Sequence, residues 1–292
     1  MLKILVVGSN GFIGKNIVEA FENNSEYLVL KPRRAELNLL DTGVVNEYMK
    51  ANKPDVVIQS AVNIHSLHDN IRMYFNVRRC SGYYGKSIVI GSGAEYDMKH
   101  YYPKMEESYF NTYVPDDIYG LSKYVIANDV ENSRDNAVNL RVFGIFGRYE
   151  DYRRRFISNN ICRAMCGYDI LINQNMKFDY LYVDDFLKIL ELFINRPLGY
   201  RSYNICAKST VELLLLARMI QEIHGDDNVR VSVKNEGMKP EYSGSNGRFV
   251  GEFGSFNYTD MKVAVRELYD WYKNSVDLSE YLKELDAAEG GT

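Results

Sequence analysis

Cysteine is scarce in this chain, with four copies in 292 residues. Cys80, Cys162, Cys166 and Cys206 are too scattered for a disulfide framework and show no metal-type pairing, so reduced core thiols are expected. Histidine is equally sparse. His65 and His68 have no companions at metal-ligand spacing and read as part of a polar loop, so no metal site is expected. No apolar run approaches the roughly 18 residues that span a bilayer. The apolar stretch after Met1 contains Lys3 and flows into Gly8-Ser9-Asn10-Gly11 without a signal-peptide cleavage pattern, so a soluble, cytoplasmic protein is expected. Neither sign of charge dominates. With 35 basic residues against 39 acidic ones, the chain has no broad electrostatic reason to bind nucleic acid or an anionic membrane.

What is present is apolar residues at 46% and 24 tyrosines. That content supports one large domain or two interleaved ones, and amphipathic tyrosine suits ligand pockets. Residues 3–7 form a short continuous apolar run ending in glycine, as expected of a strand covered on both faces. Phe12, Ile13, Ile17, Val18, Ala20 and Phe21 then recur at helical spacing. The unit repeats: strands at 27–30, 55–59, 87–90 and 139–143 alternate with helices at 44–50 and 119–132. This order predicts an α/β fold, a Rossmann-type doubly wound parallel sheet. Beyond Gly147 regularity weakens. Residues 149–155 read as a loop, followed by helices at 158–166, 184–194, 211–223 and 260–274, a strand at 229–233 and a glycine-rich loop at 237–254. The tail at 286–292 reads as frayed.

Gly8, Gly11 and Gly14, with Asn10, Phe12 and Ile13 between them, stand where the first strand turns into a helix. The first glycine permits the tight turn, the second lets backbone approach a pyrophosphate, and the third allows the helix to pack on the strand. Dinucleotide binding follows from that context, a purely structural turn being the alternative. At the end of the second strand, where an acidic residue commonly holds the ribose of NAD, the chain reads Lys31-Pro32-Arg33-Arg34. Guanidinium groups suit a 2′-phosphate, so Arg33 and Arg34 predict NADP, with NAD as the alternative and a solvated basic turn as the bland reading.

Tyr119 and Lys123, at i and i+4, share one helix face. An ammonium beside a phenol favours proton exchange, and Ser92, at a strand end, can hydrogen-bond the same substrate oxygen. With the glycine loop these three side chains predict hydride-transfer chemistry.

At these residues the chain resembles the extended short-chain dehydrogenase/reductase family of nucleotide-sugar epimerases, dehydratases and reductases. The resemblance rests on the glycine loop, residues 36–41, Ser60-Ala61, Ser92, Tyr119 with Lys123, residues 140–144 and residues 182–185. It implies that Tyr119 is the general acid or base, that Lys123 holds the nicotinamide ribose, and that Asn38, Leu39, Ser60 and Ala61 line the cofactor. It also implies a cofactor domain of residues 1–150, with 178–206 returning to it, a smaller α/β substrate domain of 151–177 and 207–292, and a homodimer. Family dehydratases carry an acidic pair directly after the active-site Ser or Thr, where this chain has Gly93 and Ala94, so elimination is not expected. Residues 36–41 and the C-terminal pattern are most similar to the GDP-fucose synthase group. Its epimerising Cys corresponds to Ala94 and its His falls near Arg155, so reduction without double epimerisation is expected. The resemblance thus implies an NADPH-dependent 4-ketoreductase of a nucleotide-linked deoxy sugar. A C4-epimerase is the alternative, and a non-catalytic NADP-binding regulatory subunit the reading from another class. Asn63, Lys177 and Arg248 are expected on the substrate side, Arg248 as a diphosphate partner or else as a structural residue. Arg153, Arg154 and Arg155 are expected as a solvated loop face.

Overall fold

The computed structural model describes residues 1–289. Its elements are β1 (Leu2–Val7), α1 (Phe12–Glu22), β2 (Tyr27–Leu30), α2 (Thr42–Asn52), β3 (Val56–Gln59), α3 (Leu67–Arg78), β4 (Lys86–Ser92), α4 (Ile118–Asn132), β5 (Ala137–Val142), β6 (Gly144–Phe146) and α5 (Phe156–Met165). There follow β7 (Ile170–Asn175), β8 (Lys177–Phe178), β9 (Tyr180–Tyr182), α6 (Val183–Asn195), β10 (Ser202–Ile205), β11 (Val211–Glu212), α7 (Leu213–His224), β12 (Val231–Met238), α8 (Gly247–Phe253), α9 (Met261–Ser275) and α10 (Ser279–Glu289).

Six strands form the central sheet in the order β10-β5-β4-β3-β1-β2, and every pairing within it is parallel. Continuous apolar runs make this possible, because both faces are covered: Ile4, Leu5, Val57, Ile58 and Val138 are fully buried. The chain leaves β1 for β2 and crosses back to β3, so the strand order reverses between β1 and β3. Loops at that reversal diverge and open a crevice beyond the strands' carboxyl ends. This is a Rossmann-type sheet.

Helix starts follow local chemistry. Asp41, Ser66 and Asp117 each accept a backbone N–H of the first turn of α2, α3 and α4. Helix α1 differs: its N-cap position is Gly11, so no side chain caps it.

A second core lies among α5, α7, α9, β7 and α10, with Ile161, Ile172, Leu216, Val265, Leu268 and Tyr281 buried together. Phe249 of α8, with Phe253, Phe256 and Tyr258 beside it, packs instead on the core of the central sheet.

Three sequence expectations change. The polar loop expected around His65 and His68 becomes the start of α3 at Leu67, because Ser66 caps it and the buried Asn70, Tyr74 and Val77 lie on one face. The glycine-rich loop at 237–254 contains α8, held by Phe249. Residues 286–289 continue α10, which Tyr281 and Leu285 dock onto the second core, while 290–292 lie outside the described residues. No described helix is long and apolar enough to cross a membrane. The four cysteines are free, Cys166 alone being partly exposed.

Candidate active site

A cleft of about 1210 Å³ opens at the carboxyl ends of the strands. Its lining includes Gly8, Asn10, Gly11, Phe12, Ile13, Asn38, Leu39, Ser60, Ala61, Asn63, Ser92, Tyr119 and Lys123. Thirteen separately expected residues thus meet in one place.

The glycine turn is built by close approach. Gly8 has φ +85°, and a Cβ there would stand 2.5 Å from the Ala61 nitrogen. Gly14 lies beneath, where a Cβ would run into the Gly8 carbonyl. Only bare backbone allows β1, α1 and the loop after β3 to meet so closely. Ser60 Oγ donates to the Val7 carbonyl at 2.8 Å, fixing that loop beside the turn.

The neighbouring loop is tied to α4. Asn70 Nδ2 donates to the Asn63 carbonyl at 2.8 Å and to Ser122 Oγ at 3.0 Å, and that hydroxyl donates to the Tyr119 carbonyl at 2.8 Å. Lys123 is buried, and its Nζ donates to the Ile90 carbonyl of β4 at 2.7 Å while standing 6.0 Å from the Tyr119 ring centre. Ser92 closes β4. Its Oγ accepts the Ala94 N–H at 3.2 Å, which leaves its own proton for an acceptor in the cleft. Glu95 completes a capping box by accepting the Ser92 N–H at 2.9 Å.

Other expected residues are not brought here. Arg33 is exposed and absent from the lining, because its N–H donates to Glu36 Oε2 in a tight turn that sends the side chain outward. Arg34 and Pro32 do line the cleft. Arg248 lies on α8, donates to the Ser202 carbonyl at 3.0 Å and packs 4.8 Å from the Tyr200 ring centre, so it braces β10. Lys177 is exposed on β8, outside the lining. Arg154 and Arg155 are exposed, as expected of a solvated face with Arg153, and they also line the cleft. Arg153 alone turns away, to pair with Glu284 at 3.0 Å.

Sequence reasoning missed Glu150, Tyr180 and Tyr242, all in the lining. No local motif marks them, since each arrives through long-range packing. Glu150 is buried and accepts Ser158 Oγ at 2.6 Å. Burial pushes its carboxyl from 4.5 to about 8, with Asp151 adding to the rise and Ser158 and Arg155 opposing it. The folded state therefore holds this proton more tightly than the unfolded chain. The associated stability is fully present below about pH 4.5 and is lost as pH rises through about 8. Asp179, raised by burial to about 7, acts in the same direction. Glu150→Gln keeps an acceptor for Ser158 without the charge, so its melting temperature should fall less steeply than wild type as pH rises from about 5 to about 8. Parallel melting curves across that range would refute the assignment.

A family model described as NAD dependent epimerase/dehydratase matches residues 4–206. Among curated proteins, GDP-L-colitose synthase of Yersinia pseudotuberculosis is 36% identical over 70 residues, 24% of this chain. The matched stretch spans 22% of that relative's length. A GDP-L-fucose synthetase from Naegleria fowleri, solved with NADP, superposes with a TM-score of 0.79 at 17% identity, covering 94% of both chains. GDP-mannoheptose C4 reductase from Campylobacter jejuni, also solved with NADP, gives 0.79 at 16% identity over 93% of this chain and 98% of that one. At such identities the superpositions establish a shared fold.

Proposed function

Because the chain belongs to the NAD dependent epimerase/dehydratase family, we propose that it is an NADPH-dependent oxidoreductase reducing the 4-keto group of a nucleotide-linked deoxy sugar. The observation that carries this reading is the meeting of Ser92, Tyr119 and Lys123 in the cleft that the glycine turn also lines. Family members and the solved neighbours include sugar epimerases, dehydratases and reductases, and two of those neighbours hold NADP.

The residues fit a dinucleotide. Gly8 and Gly14 leave the backbone bare, and the first N–H groups of α1 have no side-chain cap, so they can meet a pyrophosphate. Arg34 stands on the cleft, whereas Glu36, the nearest carboxylate after β2, is engaged by the Arg33 N–H and lies outside the lining. A cation without a competing carboxylate favours a 2′-phosphate. Asn10, Asn38, Leu39 and Ala61 complete the cofactor's surroundings in this reading.

Bound nicotinamide supplies the hydride in such a reaction. The chain supplies the proton and the geometry. Ser92 donates its hydroxyl proton toward the carbonyl oxygen, Tyr119 passes its phenolic proton to that oxygen as it gains charge, and Lys123, held by the Ile90 carbonyl, stands near the phenol and would hold the nicotinamide ribose. Gly93 and Ala94 offer no ionisable group, so neither water elimination nor epimerisation beside the carbonyl has a base there. Arg154 and Arg155 replace Lys177 and Arg248 as partners for the substrate diphosphate, with Asn63 on the sugar side. The proposal retains residues 1–150 with 178–206 as the cofactor part and 151–177 with 207–292 as the substrate part. On the family resemblance it extends to a cytoplasmic homodimer.

The test is NADPH consumption with a panel of 4-keto sugar nucleotides. Stoichiometric oxidation is expected, without solvent deuterium on the carbons flanking the new hydroxyl. NADPH should be preferred over NADH, and Arg34→Ala should cut that preference about tenfold, while Arg33→Ala leaves it near wild type. Turnover of a 4-hydroxy sugar nucleotide with no net cofactor change would replace this reading with a C4-epimerase. NADPH binding without turnover on any substrate would leave the regulatory-subunit reading.

A further inference from the structure

The carboxyl end of β4 lacks a polar side chain just after Ser92, yet a hydroxyl fills that space from elsewhere in the chain. A Cβ on Gly93 would collide with Tyr242 Oη and with the edge of the Phe143 ring. Tyr242 stands about 150 residues from Ser92 and reaches the site from the loop before α8.

Its placement is rigid. The Tyr242 N–H donates to the Lys177 carbonyl and its own carbonyl accepts from Asp179 N–H, both at 3.0 Å, so the backbone is clamped to β8 and its neighbour. Asp179 also accepts the Ala207 N–H at 2.7 Å and the Gly244 N–H at 3.3 Å, pinning the same loop. The ring stacks on Tyr101 at 5.1 Å, lies 4.8 Å from Phe178 and packs beside Phe143 at 5.5 Å. Among the described residues no hydrogen bond reaches this hydroxyl, and the partly exposed side chain lines the cleft. A phenol held this firmly has little rotational freedom left to lose when it binds a ligand.

We propose that Tyr242 is a specificity-determining residue whose hydroxyl donates a hydrogen bond to the substrate hydroxyl on the carbon next to the reacting carbonyl. The inference rests on the ketoreductase reading above. Ser92 addresses the carbonyl oxygen in that reading, and Tyr242 Oη abuts the very next residue, so the substrate group opposite it is the vicinal one. Burial among the aromatic rings raises the Tyr242 phenol above its ordinary pKa of 10, with Tyr119 nearby adding to the shift. It therefore remains a donor and does not become a base, consistent with reduction free of epimerisation.

With NADP⁺ bound so that no reduction can occur, wild type and Tyr242→Phe are titrated calorimetrically with two probes. One is a GDP-linked 4-keto-6-deoxyhexose, the other its 3-deoxy counterpart, which lacks the vicinal hydroxyl. Tyr242→Phe should weaken the first about tenfold and leave the second unchanged, with kcat/KM for the first falling by a similar factor. NADP⁺ affinity should not move. Unchanged affinity for the first probe, or equal loss for both, would overturn the role of Tyr242 and leave the ketoreductase reading intact. Failure of wild type to bind these probes, or their counterparts carrying any other nucleotide of the panel above, would overturn both.

Discussion

Tyr119→Phe should lower kcat for ketone reduction about a thousandfold while leaving NADPH affinity within about twofold of wild type. The substitution removes one hydroxyl and keeps the ring, so packing at the start of α4 is preserved. A thousandfold loss corresponds to about 4 kcal/mol of transition-state stabilisation, the amount expected when the proton must come from solvent. Ser92 and Lys123 remain in place, because Ser92 is set by its capping box and Lys123 by the Ile90 carbonyl. The loss should therefore fall on kcat with KM little changed. Stopped-flow measurement of NADPH oxidation at saturating substrate reads it directly. A variant retaining more than a tenth of wild-type kcat would mean that another group delivers the proton.

The largest expected loss of stability comes from a residue that the substrate never meets. Arg141 and Glu95 are both fully buried beneath the catalytic strand, with Arg141 Nε 2.5 Å from Glu95 Oε2. Arg141 also donates to Ser202 Oγ at 2.9 Å and lies 4.1 Å from the Phe110 ring centre, while Asn139 Nδ2 donates to Glu95 at 2.7 Å. Burial pushes the Glu95 carboxyl up, and Arg141 with the Ser92 N–H pulls it back down. Arg141→Ala strands this carboxylate without its cation, so a loss of about 3–5 kcal/mol is expected in denaturant unfolding. Because Glu95 also accepts the Ser92 N–H, activity should fall with stability. Combining Arg141→Met with Glu95→Gln removes both charges and should recover part of the loss. If Arg141→Ala costs less than about 1 kcal/mol, the pair is not what holds the strand end.

Legibility in the sequence followed distance along the chain. Residues 3–7 with Gly8, Gly11 and Gly14 declare a strand, a turn and a helix within a dozen positions, since each is dictated by near neighbours. Tyr119 and Lys123 were legible for the same reason, as four residues make a helical turn. Helix α3 was missed because its apolar stripe is thin, its buried face including Asn70 and Asn76. Arg33 and Arg34 are indistinguishable by composition, and only the Glu36 cap separates them. Arg248 looked like a diphosphate ligand until its guanidinium was found on Ser202 and Tyr200.

By itself the sequence determined the alternating strands and helices, the bare-backbone turn, and the phenol and amine on one helical face. Each rests on local backbone preference and the period of apolar residues. Tertiary structure decided the rest: the buried Glu95–Arg141 pair, the position of the exposed Arg154 and Arg155 at the edge of the cleft, and the presence of Glu150 and Tyr242 in it. Those contacts join residues tens to more than a hundred positions apart, and no local preference encodes which distant side chain will occupy a space that a glycine leaves open.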